Sequence, residues 1–376
     1  QNIADVLDMS IDEAARFFSD EPCLSSTLRL LIELGLGYLS LGQPSTTLSG
    51  GEAQRIKLAS ELAKKSKKHT LYTLDEPSTG LHDHDLRKLT TILNRLADQG
   101  HTVVVIEHHP DIILQADHII ELGPGSGPEG GRIIFSGTPA QLLKSPDSIT
   151  AGYILGRGSS DKTAAEKEPK PEPSQVISLR GIRTNNLQNI SVDIPVEQIT
   201  MVTGVSGSGK SSLVTDTIYA EGWQRYIENF SAFARSHMQS RYRADIEHVD
   251  GLRPAIHIGR SRVKGSDRST LATYTGVLDR LRLIFSRCGR FPGKRLPASA
   301  FSFNQPEGAC PACSGLGYEL RCDPEKLITN PAKPLPDGAM DGIKTGRFYG
   351  DKNGRYMAML AAAGRMEGFD FNQPFA

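Results

Sequence analysis

The sequence predicts an α/β fold, and three stretches of chain carry that prediction. An apolar strand at 199–203 leads into a glycine-rich loop and then a helix running from about Ser211 to Ala220. A second apolar strand, 70–74, ends directly in the acidic pair Asp75-Glu76. A third, 102–106, is followed at once by Glu107 and His108. Short apolar runs bounded by polar or glycine residues are typical of buried strands, and here polar side chains follow each one.

The loop 204–212, GVSGSGKSS, fits the phosphate-binding pattern G-x-x-x-x-G-K-[S/T]. Its glycines let backbone N–H groups turn towards a polyphosphate at the start of a helix. In this pattern Lys210 reaches the β- and γ-phosphates and the Ser211 hydroxyl binds Mg²⁺. The loop therefore predicts a nucleoside triphosphate site. Its predicted binding residues are Gly204, Ser206, Gly207, Ser208, Gly209, Lys210, Ser211 and Ser212.

Composition narrows the class of protein. The 376 residues carry no net formal charge, and no apolar run approaches the roughly 18 residues of a membrane span. Five cysteines without a dense framework favour a reducing cytoplasm over secretion. The chain begins at Gln1 and its last residues form no capped helix, so we expect a piece of a longer, cytoplasmic protein with about two domains.

The first 60 residues contain predicted helices and one helix-start motif with chemical interest. Ser10 and Glu13 fit a capping box, and a second apolar helix is predicted from about Ser25 to Leu34. Further on, Ser49-Gly50-Gly51-Glu52 offers a hydroxyl and bare backbone amides at a helix start, which suits a γ-phosphate approaching from outside.

In P-loop ATPases an acidic pair such as Asp75-Glu76 holds Mg²⁺ and the attacking water, with Glu76 polarising that water. His108 is the candidate γ-phosphate sensor.

The head of an ABC-type ATPase is resembled by three motifs taken together: Leu48 to Glu52, Asp75-Glu76-Pro77 and His108. The sequence of these motifs is closer still to the UvrA family of bacterial nucleotide excision repair. The segments 47–59, 74–81, 105–108, 116–127 and 133–143 look like that family's second nucleotide-binding domain. The resemblance implies ATP and Mg²⁺ as cofactors, damaged double-stranded DNA as a partner, a second UvrA-like head or a homodimer, and no nuclease activity of its own. His109 stands where the family pattern has Asn.

A linker divides the chain. Residues 156–176 are rich in proline and charge and poor in apolar side chains, so we expect a solvated tether. Beyond it, 177–194 and the phosphate loop resemble the opening of the family's first head. The predicted domains are therefore 1–155, the end of one head, and 177–376, the start of another. A fusion of two UvrA-like units explains this order; a rearranged reading frame is the alternative. On this interpretation Lys210 and Glu76 belong to different heads, and the chain carries half of each of two sites.

Between Arg253 and Arg295, Lys and Arg far outnumber acidic residues, although the chain as a whole is neutral. A one-signed excess favours contact with a polyanion, because binding to nucleic-acid phosphates needs little more than positive charge. We expect DNA contacts from Arg260, Arg262, Lys264 and Arg268. In the family a glutamine follows the strand ending at Ile258, whereas this chain has Gly259-Arg260, which puts Mg²⁺ coordination and the hydrolysis rate in doubt.

Cys310-Pro311-Ala312-Cys313 resembles half of a UvrA zinc module. Tetrahedral Zn²⁺ normally needs two such pairs, and the chain has no second one, so Zn²⁺ at Cys310 and Cys313 and a reduced structural pair both stay open. Only about a dozen residues separate Cys288 from Phe301, where the family's first head carries a large insertion with its UvrB-binding domain. Direct recruitment of UvrB is therefore not expected.

The sequence favours an ATP-dependent, DNA-binding ATPase of the UvrA type. Two alternatives remain. One is the ATPase of an exporter or resistance system without a nucleic-acid role, which DNA binding would exclude. The other is a nucleotide-gated DNA clamp that binds ATP but barely hydrolyses it, which the Gly259-Arg260 departure would favour.

Overall fold

The computed structural model describes most of the chain in two compact units. The units are Gln1–Gly308 and Ala309–Ala376. The described residues are 1–63, 69–156, 175–228, 230–231, 243–260, 268–291, 293–319, 321, 323–342, 346 and 353–375.

A six-stranded sheet forms the centre of the first unit. In the part of the chain that the structure describes, the strands are β1 (Leu71–Asp75), β2 (Thr102–Ile106), β3 (His118–Gly123), β4 (Arg132–Gly137), β5 (Val176–Ile182), β6 (Ile190–Pro195), β7 (Ile199–Gly204), β8 (His248–Asp250) and β9 (Ala255–Ile258). The order across the sheet is β4-β3-β7-β2-β1-β9. All neighbours are parallel except β3 and β4, which run antiparallel. The predicted α/β class is confirmed.

The sheet is covered on both faces, as a parallel sheet requires. All five residues of β2 are buried. Because successive side chains point to opposite faces, Val103 and Val105 join one hydrophobic core, and Val104 and Ile106 join the other. The strand therefore reads as a continuous apolar run after Thr102 in the sequence.

The central sheet combines strands from both sides of the linker. Strand β7, which follows the linker, lies between β2 and β3, which precede it. Likewise β9 pairs with β1. The structure thus differs from the expectation that 1–155 and 177–376 belong to separate heads, since both contribute to one sheet and to one compact unit. Residues 157–174 of the linker lie outside the described residues.

Helices and a small second sheet cover the two faces. Within the described residues the helices are α1 (Ile3–Asp8), α2 (Ile11–Phe17), α3 (Pro22–Glu33), α4 (Gly50–Ala63), α5 (Asp83–Asp98), α6 (Pro110–Ile113), α7 (Pro139–Leu142), α8 (Ile149–Gly156), α9 (Lys210–Leu213), α10 (Ala220–Glu228), α11 (Leu271–Tyr274), α12 (Val277–Cys288), α13 (Pro324–Leu327) and α14 (Arg355–Glu367). One face packs against α1 to α5, α11 and α12. The other packs against the antiparallel sheet β6-β5-β8 and the start of the helix after the phosphate loop.

Two of the predicted helix starts agree closely with the structure, and one predicted helix is interrupted. Ser10 and Glu13 form the predicted capping box at the start of α2. The helix predicted from Ser25 to Leu34 is α3, which begins three residues earlier, at Pro22, because proline is favourable in the first turn. The helix predicted from Ser211 is interrupted: a π-helical stretch, Val214–Tyr219, separates α9 from α10.

The second unit, Ala309–Ala376, is small. Among its described residues, Leu335, Met340 and Met357 form a buried hydrophobic cluster. Among the described residues of either unit, no helix is long and apolar enough to cross a bilayer.

Candidate nucleotide-binding site

The phosphate loop joins β7 to α9 and has a backbone that only glycine accommodates. Gly204 has φ +128°, and a Cβ there would lie 2.0 Å from the Leu122 carbonyl oxygen. Gly207 and Gly209 also have positive φ values, +75° and +107°. Side chains at these positions would be strained, so the spacing of glycines in the sequence records a required conformation. The loop therefore brings bare backbone amides to the start of α9, which suits a phosphate group.

Neighbouring loops hold the phosphate loop in place. Gly127 donates its N–H to the Gly207 carbonyl at 3.0 Å, and Gly131 donates to the Ser208 carbonyl at 2.9 Å. Asn186 donates a side-chain amide hydrogen to the Gly207 carbonyl at 3.1 Å. Because these bonds satisfy carbonyl oxygens of the loop, they fix its path. Residues 127, 131 and 186 carry no sequence pattern that would have identified them.

Two loop residues have hydroxyls in contrasting surroundings. The Ser208 Oγ is buried and has no hydrogen-bond partner among the described residues. A buried polar atom without a partner is unfavourable, and a bound phosphate oxygen would satisfy it. Ser206, by contrast, is exposed. The residues of the loop thus fit a phosphate ligand in both shape and chemistry.

The cation of the loop is Lys210, whose Nζ donates to the carbonyls of Gly204 at 2.9 Å and Val205 at 2.8 Å. Burial lowers the pKa of Lys210, and the nearby negative charges of Glu76 and Asp75 oppose that effect. The lysine therefore interacts electrostatically with the acidic pair. This proximity differs from the expectation that Lys210 and Glu76 belong to different heads.

The two serines after Lys210 behave differently. Ser211, the predicted Mg²⁺ ligand, is exposed at the start of α9. Ser212 bonds instead with two asparagines: its hydroxyl donates to Asn186 Oδ1 at 3.2 Å and accepts from Asn185 Nδ2 at 3.3 Å. The Ser212 side chain thus anchors the loop that carries Asn185 and Asn186.

The acidic pair lies at the carboxyl end of β1, one strand beyond β2 from the phosphate loop. Burial raises the pKa of Asp75, and Glu76 adds to that effect, while the positive charges of Arg260 and Lys210 act against it. Glu76 has φ +43°, unusual for a residue with a side chain, and such backbone strain tends to persist at functional sites. The His108 Nδ1 lies 3.8 Å from the Glu76 Oε1. The structure thus brings the predicted acid pair and the histidine together.

A third carboxylate, Glu107, organises this edge of the sheet. It is fully buried. One oxygen accepts the backbone N–H of Ser78 at 3.0 Å. The other accepts the N–H groups of His108 at 2.9 Å and His109 at 3.1 Å. Glu107 therefore ties the loop after the acidic pair to the loop that carries the histidine. Its place between a strand and His108 was visible in the sequence, but its role was not predicted.

Arg260 lies in this site rather than on a separate basic surface. Its Nη2 donates to the Glu76 carboxylate and to the Thr79 hydroxyl, and to the Glu76 carbonyl at 3.3 Å. The expectation that Arg260 faces DNA therefore does not match its contacts here. Of the other predicted DNA residues, Arg262 and Lys264 lie outside the described residues. Arg268 is half-buried, and its carbonyl accepts a hydrogen bond from Asn304.

The Ser-Gly-Gly turn opens α4. Ser49 and Glu52 bond reciprocally, from Ser49 N to Glu52 Oε2 at 2.8 Å and from Glu52 N to Ser49 Oγ at 3.3 Å. Glu52 also accepts a hydrogen bond from the Tyr38 hydroxyl at 2.5 Å. The Glu52 carboxylate therefore caps the helix, while Ser49 is exposed.

The two glycines of this turn pack tightly against two loops, Gly50 against the one after β9 and Gly51 against the one after the acidic pair. A Cβ on Gly50 would lie 3.2 Å from the Arg260 carbonyl oxygen, and one on Gly51 would lie 3.2 Å from the Thr79 carbonyl oxygen. Inside α4, the buried Gln54 donates to the carbonyls of Asp75 at 2.8 Å and Ile258 at 3.0 Å. The α4 helix is thus bonded to the carboxyl ends of β1 and β9.

The cysteine pair in the second unit has the features of a thiolate turn but not of a complete metal site. The N–H of Gly317 lies 3.3 Å from the Cys313 sulfur. Hydrogen bonds from backbone N–H groups, that of Gly317 first, lower the pKa of the Cys313 thiol. Within the described part of the chain, no three His, Cys, Asp or Glu side chains form a metal-binding group. Cys322 lies outside it. Bound zinc is thus not supported here.

The known proteins to which the chain is similar in sequence share one name. The chain is 40% identical over 332 residues to UvrABC system protein A of Methanothermobacter thermautotrophicus, covering 84% of this chain and 33% of that protein. It is 39% identical over 333 residues to the protein of the same name from Aquifex aeolicus, covering 84% and 35%. It is 38% identical over 330 residues to that of Staphylococcus aureus strain Mu50, covering 84% and 34%.

One solved structure and one negative result complete the comparison. The chain has 28% sequence identity to the protein in the crystal structure of UvrA2 from Deinococcus radiodurans. The match covers 99% of this chain and 49% of that chain, with a TM-score of 0.38. No protein-family model matches the chain. The chain spans about one third of the length of the curated relatives it matches. The similarity of sequence, extending over 84% of the chain, identifies it as a member of the UvrA family.

Proposed function

We propose that the chain is an ATP-binding and ATP-hydrolysing head of a DNA-repair protein, in which nucleotide controls the grip on damaged double-stranded DNA. One observation carries the ATPase part of the proposal. The phosphate loop with Lys210 and the trio Asp75, Glu76 and His108 lie at the carboxyl ends of adjacent parallel strands of one sheet. Ligands of open α/β sheets bind at that edge.

In this proposal the loop amides and Lys210 hold the phosphates of ATP. Lys210 exchanges its bonds with the Gly204 and Val205 carbonyls for bonds with phosphate oxygens. Asp75 and Ser211 would hold Mg²⁺, which would neutralise charge on the phosphate oxygens. Oxygen ligands of this kind, few in number and next to a phosphate, are what Mg²⁺ prefers.

Glu76 and His108 act on the terminal phosphate. Glu76 orients a water molecule for attack in line with the bond to be broken, and accepts its proton. His108, held by Glu107 through its backbone N–H, donates a hydrogen bond to the phosphate oxygens. Both side chains are partly exposed, which gives water and substrate access to them.

We propose that the Ser49-Gly50-Gly51 turn completes a nucleotide site on a second head, supplied by another copy of the chain or by a UvrA-like partner. The turn has an exposed hydroxyl and begins a 14-residue helix whose dipole favours an anion. DNA would then meet the paired heads, with Arg262, Lys264 and Arg268 as candidate contacts. Partnership with UvrB is not part of the proposal.

The test is ATP turnover by the chain with and without a duplex that carries a lesion, in the wild type, Lys210→Ala and Glu76→Gln. We expect turnover that responds to DNA and falls at least about a hundredfold in both variants, as for other lost catalytic groups. Lys210→Ala should also lose nucleotide affinity, whereas Glu76→Gln should keep it. Turnover that ignores DNA would favour the exporter-type ATPase instead.

A second candidate function is favoured by the contact between Arg260 and Glu76. A carboxylate held by a guanidinium is less free to accept a proton from water, so hydrolysis could be slow enough to make the protein a nucleotide-gated DNA clamp. This function predicts ATP affinity and ATP-dependent DNA binding with negligible phosphate release. Single-turnover kinetics with excess protein separates it from the ATPase.

A further inference from the structure

The side chain of Arg260 holds the residue on which hydrolysis would depend. Its Nη2 donates to Glu76 Oε2, and to the Thr79 hydroxyl beside it. The second Glu76 oxygen, Oε1, faces the His108 ring at 3.8 Å. Each oxygen of the carboxylate therefore has a neighbour that is itself a candidate partner for a phosphate. Glu76 could orient water more freely if one of these neighbours moved to another anion.

The backbone at Arg260 is held by α4, whereas its side chain is partly exposed. The preceding carbonyls of Ile258 and Gly259 accept hydrogen bonds from Gln54 and Lys57, both in α4. The Arg260 carbonyl packs against Gly50 at the start of that helix. The side chain is 37% exposed. A fixed backbone with a partly exposed guanidinium permits a change of partner by rotation of the side chain alone.

Arg260 also has unused capacity to donate hydrogen bonds. Its Nε is buried and has no partner among the described residues. The positive charges of Arg260 and Lys210 both oppose the rise in the pKa of Asp75. A guanidinium presents a fork of N–H groups that matches a phosphate better than it matches one carboxylate oxygen.

We propose that Arg260 is a positioning residue that pairs with Glu76 when no nucleotide is bound. When ATP binds, its side chain rotates and its guanidinium donates hydrogen bonds to the terminal phosphate instead. This exchange releases Glu76 for the attacking water and makes that release depend on the γ-phosphate, which ADP lacks. Because the Arg260 backbone contacts Gly50, the exchange is also adjacent to the Ser-Gly-Gly turn. This inference rests on the proposed function of the site as an ATP site.

The experiment measures binding, not turnover. Dissociation constants for ADP and for the non-hydrolysable analogue AMP-PNP are determined with Mg²⁺ by competition against a fluorescent ADP, for the wild type and Arg260→Gln. Arg253→Gln is the matched control, because Arg253 lies just before the same strand and contacts Gln175 instead. Arg260→Lys, which keeps the charge without the fork, is the conservative variant. Lys210→Ala tests the site itself.

We expect Arg260→Gln to weaken AMP-PNP binding about tenfold or more, the usual effect of losing a charge-assisted hydrogen bond, with ADP changed less than about twofold. Arg260→Lys should fall between it and the wild type, and Arg253→Gln should match the wild type. Equal effects of Arg260→Gln on the two nucleotides, or none on either, would overturn the inference and leave ATP binding at Lys210 intact. A wild type that binds neither nucleotide would overturn the proposed function as well.

Discussion

Replacing Glu107 by Gln should destabilise the protein by about 2–3 kcal/mol, although the two side chains have nearly the same shape. The carboxylate is fully buried and accepts three backbone N–H groups, from Ser78, His108 and His109. An amide has one oxygen and can keep the two bonds on one side only. Its NH₂ group then faces the N–H of Ser78, so that donors meet and no acceptor is present.

The magnitude follows from these three bonds. A buried donor left unsatisfied costs about 1–3 kcal/mol. The two remaining bonds lose the assistance of the negative charge, which makes such bonds roughly twice as strong as neutral ones. The cost of burying the carboxylate is removed at the same time and offsets part of the loss. A net loss of about 2–3 kcal/mol is therefore expected.

Glu121→Gln provides a matched control, since Glu121 is also fully buried. It accepts hydrogen bonds from the hydroxyls of Ser148 and Thr150 and from the Thr150 N–H. A hydroxyl can rotate and accept instead of donating, so an amide on Glu121 can find partners on both sides. We expect its cost to stay below about 1 kcal/mol.

The assay is urea denaturation followed by circular dichroism, with the free energy of unfolding obtained by linear extrapolation. Glu107→Gln should be clearly the less stable of the two variants. A loss below about 0.5 kcal/mol for Glu107→Gln, or an equal loss for both, would refute the account of how this carboxylate is used.

Three further predictions concern the frame of the site. Gly204→Ala should lower the free energy of unfolding by more than Gly127→Ala does, because its Cβ would collide with a carbonyl. At Gly127 the new Cβ would have open space, and only the φ of +58° would cost about 1–2 kcal/mol. Equal losses of stability in thermal denaturation would contradict this. Gln54→Leu removes the donor shared by two strand-end carbonyls and should cost about 1–3 kcal/mol, which urea denaturation would detect. Burial, with Glu61 second, raises the pKa of Tyr72 to about 12 from 10.0, so stability should be greatest below pH 10 and fall as the pH rises to about 12. That fall should be smaller in Tyr72→Phe, and an unchanged pH profile would contradict the assignment.

Local patterns in the sequence predicted the elements around the site closely. The strand predicted at 102–106 is β2 with the same bounds, and the strand predicted at 199–203 ends one residue later, at Gly204. Such agreement is expected where a strand is buried on both faces and its ends are fixed by glycine or charge. The nucleotide and metal roles assigned to the loop residues remain predictions.

The arrangement of the strands could not be read from the sequence. Pairing β7 with β2 and β3 joins residues far apart in the chain across a linker, and no local propensity or periodicity records which parallel neighbours a strand will have. Assigning residues to heads by motif order therefore led to two half-sites, whereas the structure brings Lys210 near Asp75 and Glu76.

The supporting residues of the site were missed for a related reason. Asn186 and Glu107 act by hydrogen bonding to backbone groups, and any backbone offers such groups, so the partners leave no trace in the sequence. Arg260 was assigned to a basic stretch on the strength of its charge, but its own contact is with Glu76. Charge alone does not distinguish a residue that faces solvent from one that pairs with an acid inside a site.

The central claim is that the phosphate loop and Glu76 of one chain serve the same ATP. Mixing Lys210→Ala and Glu76→Gln proteins, each inactive alone, tests it directly through ATP turnover after the two have been allowed to exchange subunits. We expect no recovery, because every chain then lacks one essential group of its own site. Recovery of a substantial fraction of wild-type turnover would mean that Glu76 of one chain serves the phosphate loop of another, and would contradict the account.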